Sequence, residues 1–387
     1  MPRPRKQDDS ETQGEEVTLA SRIVRKLQGD KEVKDVVKLA SGSLFSEIPY
    51  YIPTGCSTLN YAIGRPGYPA GKITTIFGRE ASGKSTLVYE ALRQTQLMGG
   101  LGVLVDSEGR YTRERAAAWG LDPESLIVIE GASLENSFEA IEKVIDEVRS
   151  SNISIPILVV YDSLAGAPTN KRMEGNVNDV MVSQAARFVS AELPRLKMKL
   201  GKLGVALIIV NQVRQRINMG DPRTGSYRER IKVMGAQYSM IAEMALIFES
   251  SLMIHTNEMG KVGDKEHPTG MRSKATVRKC GIAPREGWVA EFDIDYLNGV
   301  DHDGADFELL DMLGEIAHSS SGWYKVRATD DEYDDGYGWD NRKKYQRGDF
   351  KKMIADHPWL AQKVMEAPTL WANPTTVAPE SSLLSAI

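Results

Sequence analysis

The residues Gly78-Arg79-Glu80-Ala81-Ser82-Gly83-Lys84-Ser85 match the pattern G-x-x-x-x-G-K-[ST], whose residue types and spacing suit one task, gripping the phosphates of a nucleoside triphosphate. The glycines let successive backbone N–H groups turn into one concavity. Lys84 is placed to reach the β- and γ-oxygens, and Ser85, with Thr86 behind it, offers a hydroxyl to Mg2+. Short matches also arise by chance, but the surroundings argue against chance here. An apolar, strand-like run from Lys72 to Phe77 leads into the motif, and a helix-like stretch from Lys84 to about Met98 leads out.

Two carboxylates sharpen the reading. Ile157-Leu-Val-Val-Tyr-Asp162 is an apolar run ending in an acid, the form of a residue that holds the Mg2+ shell from a neighbouring strand. By itself an aspartate at a strand end is more often a turn former, so its weight comes from the pairing with the phosphate loop. Glu108, in Val105-Asp106-Ser107-Glu108, follows another such strand and would face the crevice where open α/β sheets bind ligands. A carboxylate there can orient and deprotonate a water attacking the γ-phosphate, which means hydrolysis rather than transfer to a substrate.

The elements needed to hold these groups are legible around them. Apolar strands are expected at Val103 to Asp106, Leu126 to Ile129, Ile155 to Asp162 and Val205 to Asn211, separated by helices such as Glu135 to Val148. That alternation implies a parallel sheet covered on both faces. Farther on, Glu243 to His255, Lys274 to Lys279 and Trp288 to Asp295 read as strands without intervening helices, an antiparallel extension of the sheet. Beyond about Ala305 the pattern mixes: a helix around Glu308 to Ala317, a strand at Trp323-Tyr324, an acidic loop from Asp330 to Asp340 and a helix near Gly348 to Ala355. The expected organisation is a disordered tail at 1–15, an N-terminal helical segment at 16–52, a core at 53–304, a small α+β domain at 305–367 and a disordered tail at 368–387.

Composition excludes other classes. The 387 residues, 41% hydrophobic and 26% charged, suffice for one large core and a satellite and do not resemble a disordered or membrane chain. No apolar run approaches a bilayer's thickness, and the polar start is unlike a signal peptide, so a cytoplasmic protein is expected. Cys56 and Cys280, the two cysteines, lack ligand-like spacing and suggest neither a zinc site nor a disulfide framework. The net charge of −5 hides a local excess: between Val213 and Lys232 stand Arg214, Arg216, Arg223, Arg228, Arg230 and Lys232 against only Asp221 and Glu229.

Taken together, Gly78 to Thr86, Asp106-Ser-Glu108-Gly109, Asp162-Ser163 and Asn211-Gln212 heading the basic loop resemble the RecA family of strand-exchange recombinases, bacterial RecA and the phage UvsX-like members included. The similarity runs from about Pro53 to Ala367 and takes in Thr54-Gly55 and Gly322-Trp323-Tyr324. It implies a RecA-type P-loop ATPase core with a central, mostly parallel sheet, an antiparallel extension, a short N-terminal helical segment and a small C-terminal α+β domain. It further implies ATP and Mg2+ as cofactors, DNA-stimulated hydrolysis, and homo-oligomeric helical filaments that pair single-stranded with double-stranded DNA.

By position, the resemblance makes Glu108 the catalytic glutamate, Lys84 its phosphate partner and Gln212 the sensor of the γ-phosphate; Arg115 falls where some relatives lay an arginine over the adenine. Two loops would contact DNA, Pro168 to Val182 with Lys171, Arg172 and Met173, and Val213 to Gly235 with its arginines; Arg187 joins them as a candidate. Arg278 and Lys279 stand where bacterial members reach across to a neighbour's ATP, and since adjacent strand residues face opposite ways, one of the two is expected to do so. There are departures: Ser239 replaces a lysine after the second loop, and an acidic C-terminal tail is missing. A relative that binds ATP and DNA without exchanging strands is the main rival reading, and a hexameric helicase a weaker one.

Overall fold

The structure, a computed structural model, describes residues 18–29, 37–38, 47–151, 154–173, 181–215, 238–330, 334, 336–340 and 342–372. It divides into two units, Met1–Glu47 and Ile48–Ile387. In the first, helix α1 (Leu19–Leu27) starts at Thr18, whose hydroxyl accepts the Ser21 N–H at 3.2 Å. Leu19, Ile23 and Leu27, spaced four apart, form an exposed apolar stripe along it.

In the second unit the antiparallel pair β1 (Tyr51–Ile52) and β2 (Tyr68–Pro69) brackets helix α2 (Ser57–Ile63). Strand and helix then alternate: β3 (Ile73–Gly78), α3 (Lys84–Leu97), β4 (Leu101–Asp106), α4 (Arg113–Ala118), β5 (Leu126–Glu130), α5 (Leu134–Ser150), β6 (Ile157–Asp162), α6 (Asn170–Met173), α7 (Met181–Leu203) and β7 (Ala206–Gln212). Two short strands, β8 (Arg214–Gln215) and β9 (Tyr238–Ser239), pair at the ends of the second basic loop. Helix α8 (Glu243–Glu249) leads into β10 (Leu252–Gly263), β11 (Pro268–Cys280), β12 (Val289–Asp295) and β13 (Gly299–Val300).

Nine strands form one sheet in the order β13-β12-β11-β10-β3-β7-β6-β4-β5. From β10 to β5 every pairing is parallel, and β11 to β13 are antiparallel, the expected mostly parallel sheet with its extension. Alternation along each strand supplies two cores. Ile76, Leu104, Val160, Ile208 and Ile254 pack with α2 and α3 on one face; Phe77, Val105, Val159, Ile209 and Met253 pack with α5, α7 and α8 on the other.

Three expectations need correction. Glu243 to His255 is not one strand: Glu243–Glu249 is helical, burying Leu246 at the second core, and the strand begins at Leu252. The β10–β11 hairpin is also longer than its apolar portion, since the solvated residues from Glu258 to Gly263 still pair with Pro268 to Ser273. Finally, the helix sought at Glu308 to Ala317 is α9 (His302–Met312), capped by the Asp301 carboxylate, and Ile316 begins a strand. This β14 (Ile316–Ser320) pairs with β15 (Trp323–Val326), and α10 (Phe350–Asp356) and α11 (Trp359–Glu366) complete a third cluster around Phe307, Leu310, Tyr345, Met353 and Leu360.

Candidate functional site

Parallel pairing places the carboxyl ends of β3, β4, β6 and β7 along one rim of the sheet, so the residues leaving those ends converge. They surround a cavity of about 350 Å³ lined by the phosphate loop from Glu80 to Thr86, by Glu108, Arg110, Arg115 and Trp119, by Asp162 and Gln212, and by Lys261 and Tyr296 from the extension. Gly78 and Arg79, which precede these residues in the loop, are not among the lining residues.

The loop itself is tightly anchored. Gly78 ends β3 so close to β10 that a Cβ there would lie 2.3 Å from the Thr256 carbonyl oxygen. The Ser82 hydroxyl bonds the Arg79 carbonyl and the Thr256 hydroxyl, both at 2.8 Å, and Ser273 donates to the Ser82 carbonyl at 3.0 Å. Ala81 and Gly83 both have positive φ, 56° and 89°, the turns that aim successive N–H groups into the cavity at the head of the 14-residue helix α3. Lys84 is buried, and its ammonium donates to the Arg79 carbonyl at 2.5 Å; burial pulls its pKa down to about 8. Ser85 lines the cavity together with Asp162, whose carboxyl burial pushes up to about 6.

The loop after β4 is organised by Asp106, whose carboxylate accepts the N–H groups of Glu108 at 3.2 Å and Tyr111 at 2.7 Å. It is laced to the segment after β6: Ser107 donates its hydroxyl to the Ser163 carbonyl at 2.6 Å and accepts the Ser163 N–H at 3.0 Å. One oxygen of Glu108, Oε1, accepts both the Ser163 hydroxyl and Gln212 Nε2, the latter at 3.1 Å; the other, Oε2, pairs with Arg110 Nε at 2.8 Å. Gln212 ends β7, where its N–H bonds the Asn211 side chain at 3.0 Å, while Asn211 donates to the Ile241 carbonyl at 2.8 Å. Glu108 is thereby connected to the strand that opens the second basic loop and to the segment that closes it.

Arg278 and Lys279 do not line this chain's own cavity. Strict alternation fails at this point, because Met253 faces Lys279 while Ile254 faces Val277, which makes Arg278 the extra residue of a β-bulge. Lys279 donates to the Ile247 carbonyl at 2.5 Å, whereas Arg278 Nε is buried without a hydrogen-bond partner among the described residues. Of the DNA candidates, Arg187 on α7 and Met173 at the end of α6 are exposed. Lys171 and Arg172 fall within α6 and Arg214 within β8, and Arg216, Arg223, Arg228, Arg230 and Lys232 lie outside the described residues.

Sequence reasoning missed Arg110, Trp119, Lys261, Met271, Ile294 and Tyr296 as lining residues, and Asp106 as organiser of the Glu108 loop. Asp106 ends its strand just as Asp162 does and was open to the same argument. The others have no local signature, since sheet pairing brings them in from distant strands.

A phosphate loop at the carboxyl end of a central parallel strand, beside a serine–aspartate pair and a separate glutamate, defines a P-loop nucleotide-binding α/β protein. The sequence matches the RecA N-terminal domain family over residues 19–301, and it is 32% identical to protein RecA of Bacteroides thetaiotaomicron across 81% of this chain and 85% of that one. Protein RecA of Aquifex aeolicus is likewise 32% identical, across 82% and 83%. The chain belongs to the RecA family. At the level of that family it is an ATP- and DNA-binding protein of recombination and repair. The solved RadB recombinase is 24% identical, with a TM-score of 0.44 over 64% of this chain and 98% of that one. No described helix is long and apolar enough to cross a membrane.

Proposed function

We propose that this chain polymerises head to tail on single-stranded DNA, binds ATP at the seam between protomers, hydrolyses it in response to DNA, and pairs the bound strand with a homologous duplex. The observation that carries the reading is the hydrogen bond between Gln212 and Glu108, which joins the residue placed to activate water to the strand that leads into the basic loop.

Mg2+, which Ser85 and Asp162 would hold, would supply neutralisation of the negative charge on the triphosphate. The residues fit that group: the Ser85 hydroxyl and Asp162 carboxylate line the same cavity, and a buried ammonium waits beside them on a backbone carbonyl that a phosphate can replace. In this reading Lys84 exchanges the Arg79 carbonyl for phosphate oxygens, and Ser85 and Asp162 hold the metal. Glu108 takes the proton of the attacking water, and Gln212 senses the γ-phosphate through the contact it already makes. Arg115, Trp119 and Tyr296 supply guanidinium and ring faces to the base. From the neighbouring protomer, Arg278 or Lys279 completes the charge on the phosphates, and the arginines of the second loop, with Lys171, Arg172 and Arg187, neutralise the DNA backbone.

Lys84→Ala is expected to abolish ATP-dependent DNA binding, whereas Glu108→Gln keeps nucleotide and DNA binding but hydrolyses at least about a hundredfold more slowly. Turnover measured with and without single-stranded DNA tests this, together with electron microscopy of filaments and a joint-molecule assay. DNA that fails to stimulate hydrolysis overturns the reading. Filaments that hydrolyse ATP yet form no joint molecules would make the chain a mediator rather than an exchanger.

A further inference from the structure

We infer that Arg110 is a brake on Glu108, holding the oxygen that must receive the water proton until the second basic loop is engaged. The inference rests on the reading of Glu108 as the base. Oε1 of that carboxylate is already occupied by Ser163 and Gln212, which leaves Oε2 as the oxygen with room for a water. Oε2 is where the Arg110 guanidinium sits, at 2.8 Å. A charge-assisted bond of this kind competes directly with a neutral water for the same lone pairs.

Arg110 is not needed to shape the loop that carries it. Asp106 already fixes that loop by accepting the N–H groups of Glu108 and Tyr111, and the Ser107–Ser163 pair ties it to the next strand. The arginine's second partner, Glu80 of the phosphate loop, is 3.3 Å away and strongly exposed, so that contact holds it weakly. The Arg110 side chain is itself 56% exposed against 14% for Glu108, so the arginine's own charge stays solvated when it swings away.

Release is built into the opposite side of the same carboxylate. Gln212 grips Oε1 and is followed directly by Val213 and β8, the start of the basic loop. A shift of that loop on DNA moves Glu108 relative to Arg110, while an incoming triphosphate draws the guanidinium toward the cavity that it lines. The brake thus makes hydrolysis conditional on both ligands.

The test is steady-state ATP turnover of the full chain, with and without saturating single-stranded DNA. Arg110→Ala should raise the DNA-free rate by about tenfold, the order of one charge-assisted bond in a partly exposed pair. The DNA-saturated kcat should stay within about twofold, so that stimulation by DNA collapses, while the KM for ATP should rise because the cavity loses a cation that the triphosphate attracts. Arg110→Lys, with a point charge in place of the fork, should fall between the two. Adding Glu108→Ala should erase the gain. A DNA-free rate that is unchanged or lowered in a folded Arg110→Ala chain overturns the brake. If Glu108→Ala alone leaves turnover intact, it is the assignment of the base that fails, and the two failures are told apart by that control.

Discussion

His255 shows how a single buried side chain records the charge around the site. Its ring stacks on Phe77, centroids 5.0 Å apart and planes 19° from parallel, inside the core beneath the phosphate loop. Burial, with the positive charges of Arg278 and Lys84, pushes its pKa down from 6.5 to about 4. The folded state therefore keeps the imidazole neutral over a range in which the unfolded chain would protonate it. The stability this represents is complete above pH 6.5 and is lost as pH falls toward 4. Between pH 7.5 and pH 5 the loss from this one residue should be about 2 kcal/mol. Denaturant unfolding at the two pH values, comparing the native chain with His255→Phe, measures it: the variant should lose less by that amount. An equal loss in both proteins would mean the ring is not what responds.

At the scale of elements, the turn from β3 into α3 works because two strands come unusually close. Adding a methyl at Gly78 would place it 2.3 Å from the Thr256 carbonyl and 2.8 Å from the Ser82 hydroxyl, so either the pairing of β3 with β10 or the loop's anchor must give. Gly78→Ala should cost about 2 kcal/mol or more in unfolding and weaken nucleotide binding with it. Unchanged binding of a fluorescent ATP analogue would detach the anchor from the site. This turn was legible in the sequence, since strand, glycine-rich motif and helix each have a local signature, and the same holds for the alternation that built the parallel sheet. Glu243 to His255 was not. Met244-Ala-Leu-Ile-Phe248 is an apolar run too short for periodicity to separate helix from strand, and packing of Leu246 on the second core decided it. The cavity wall formed by Lys261, Ile294 and Tyr296 depends on which strands lie side by side, and the bulge at Arg278 on a register mismatch; neither leaves a trace along the chain.

Across the whole molecule, one protomer holds the base and the phosphate loop at one rim of its sheet, while Arg278 and Lys279 lie near the end of β11, where Cys280 pairs with Leu252 at the start of β10. Residues so divided serve one reaction only if protomers stack head to tail, each completing its neighbour's site. Arg278 is the better candidate for the crossing residue. Its Nε is buried without a partner among the described residues, whereas the Lys279 ammonium is held by the Ile247 carbonyl. Two defective proteins should then repair one another. Glu108→Gln protomers retain Arg278, Arg278→Ala protomers retain Glu108, and each alone should hydrolyse ATP slowly on single-stranded DNA. Mixed in equal amounts and assembled at random, about one seam in four combines the intact glutamate with the intact arginine. Turnover of the mixture should therefore approach about a quarter of the native rate, well above the mean of its components, and should depend on DNA. A mixture no faster than that mean would show that each protomer hydrolyses with its own residues alone, and the shared seam would have to be given up.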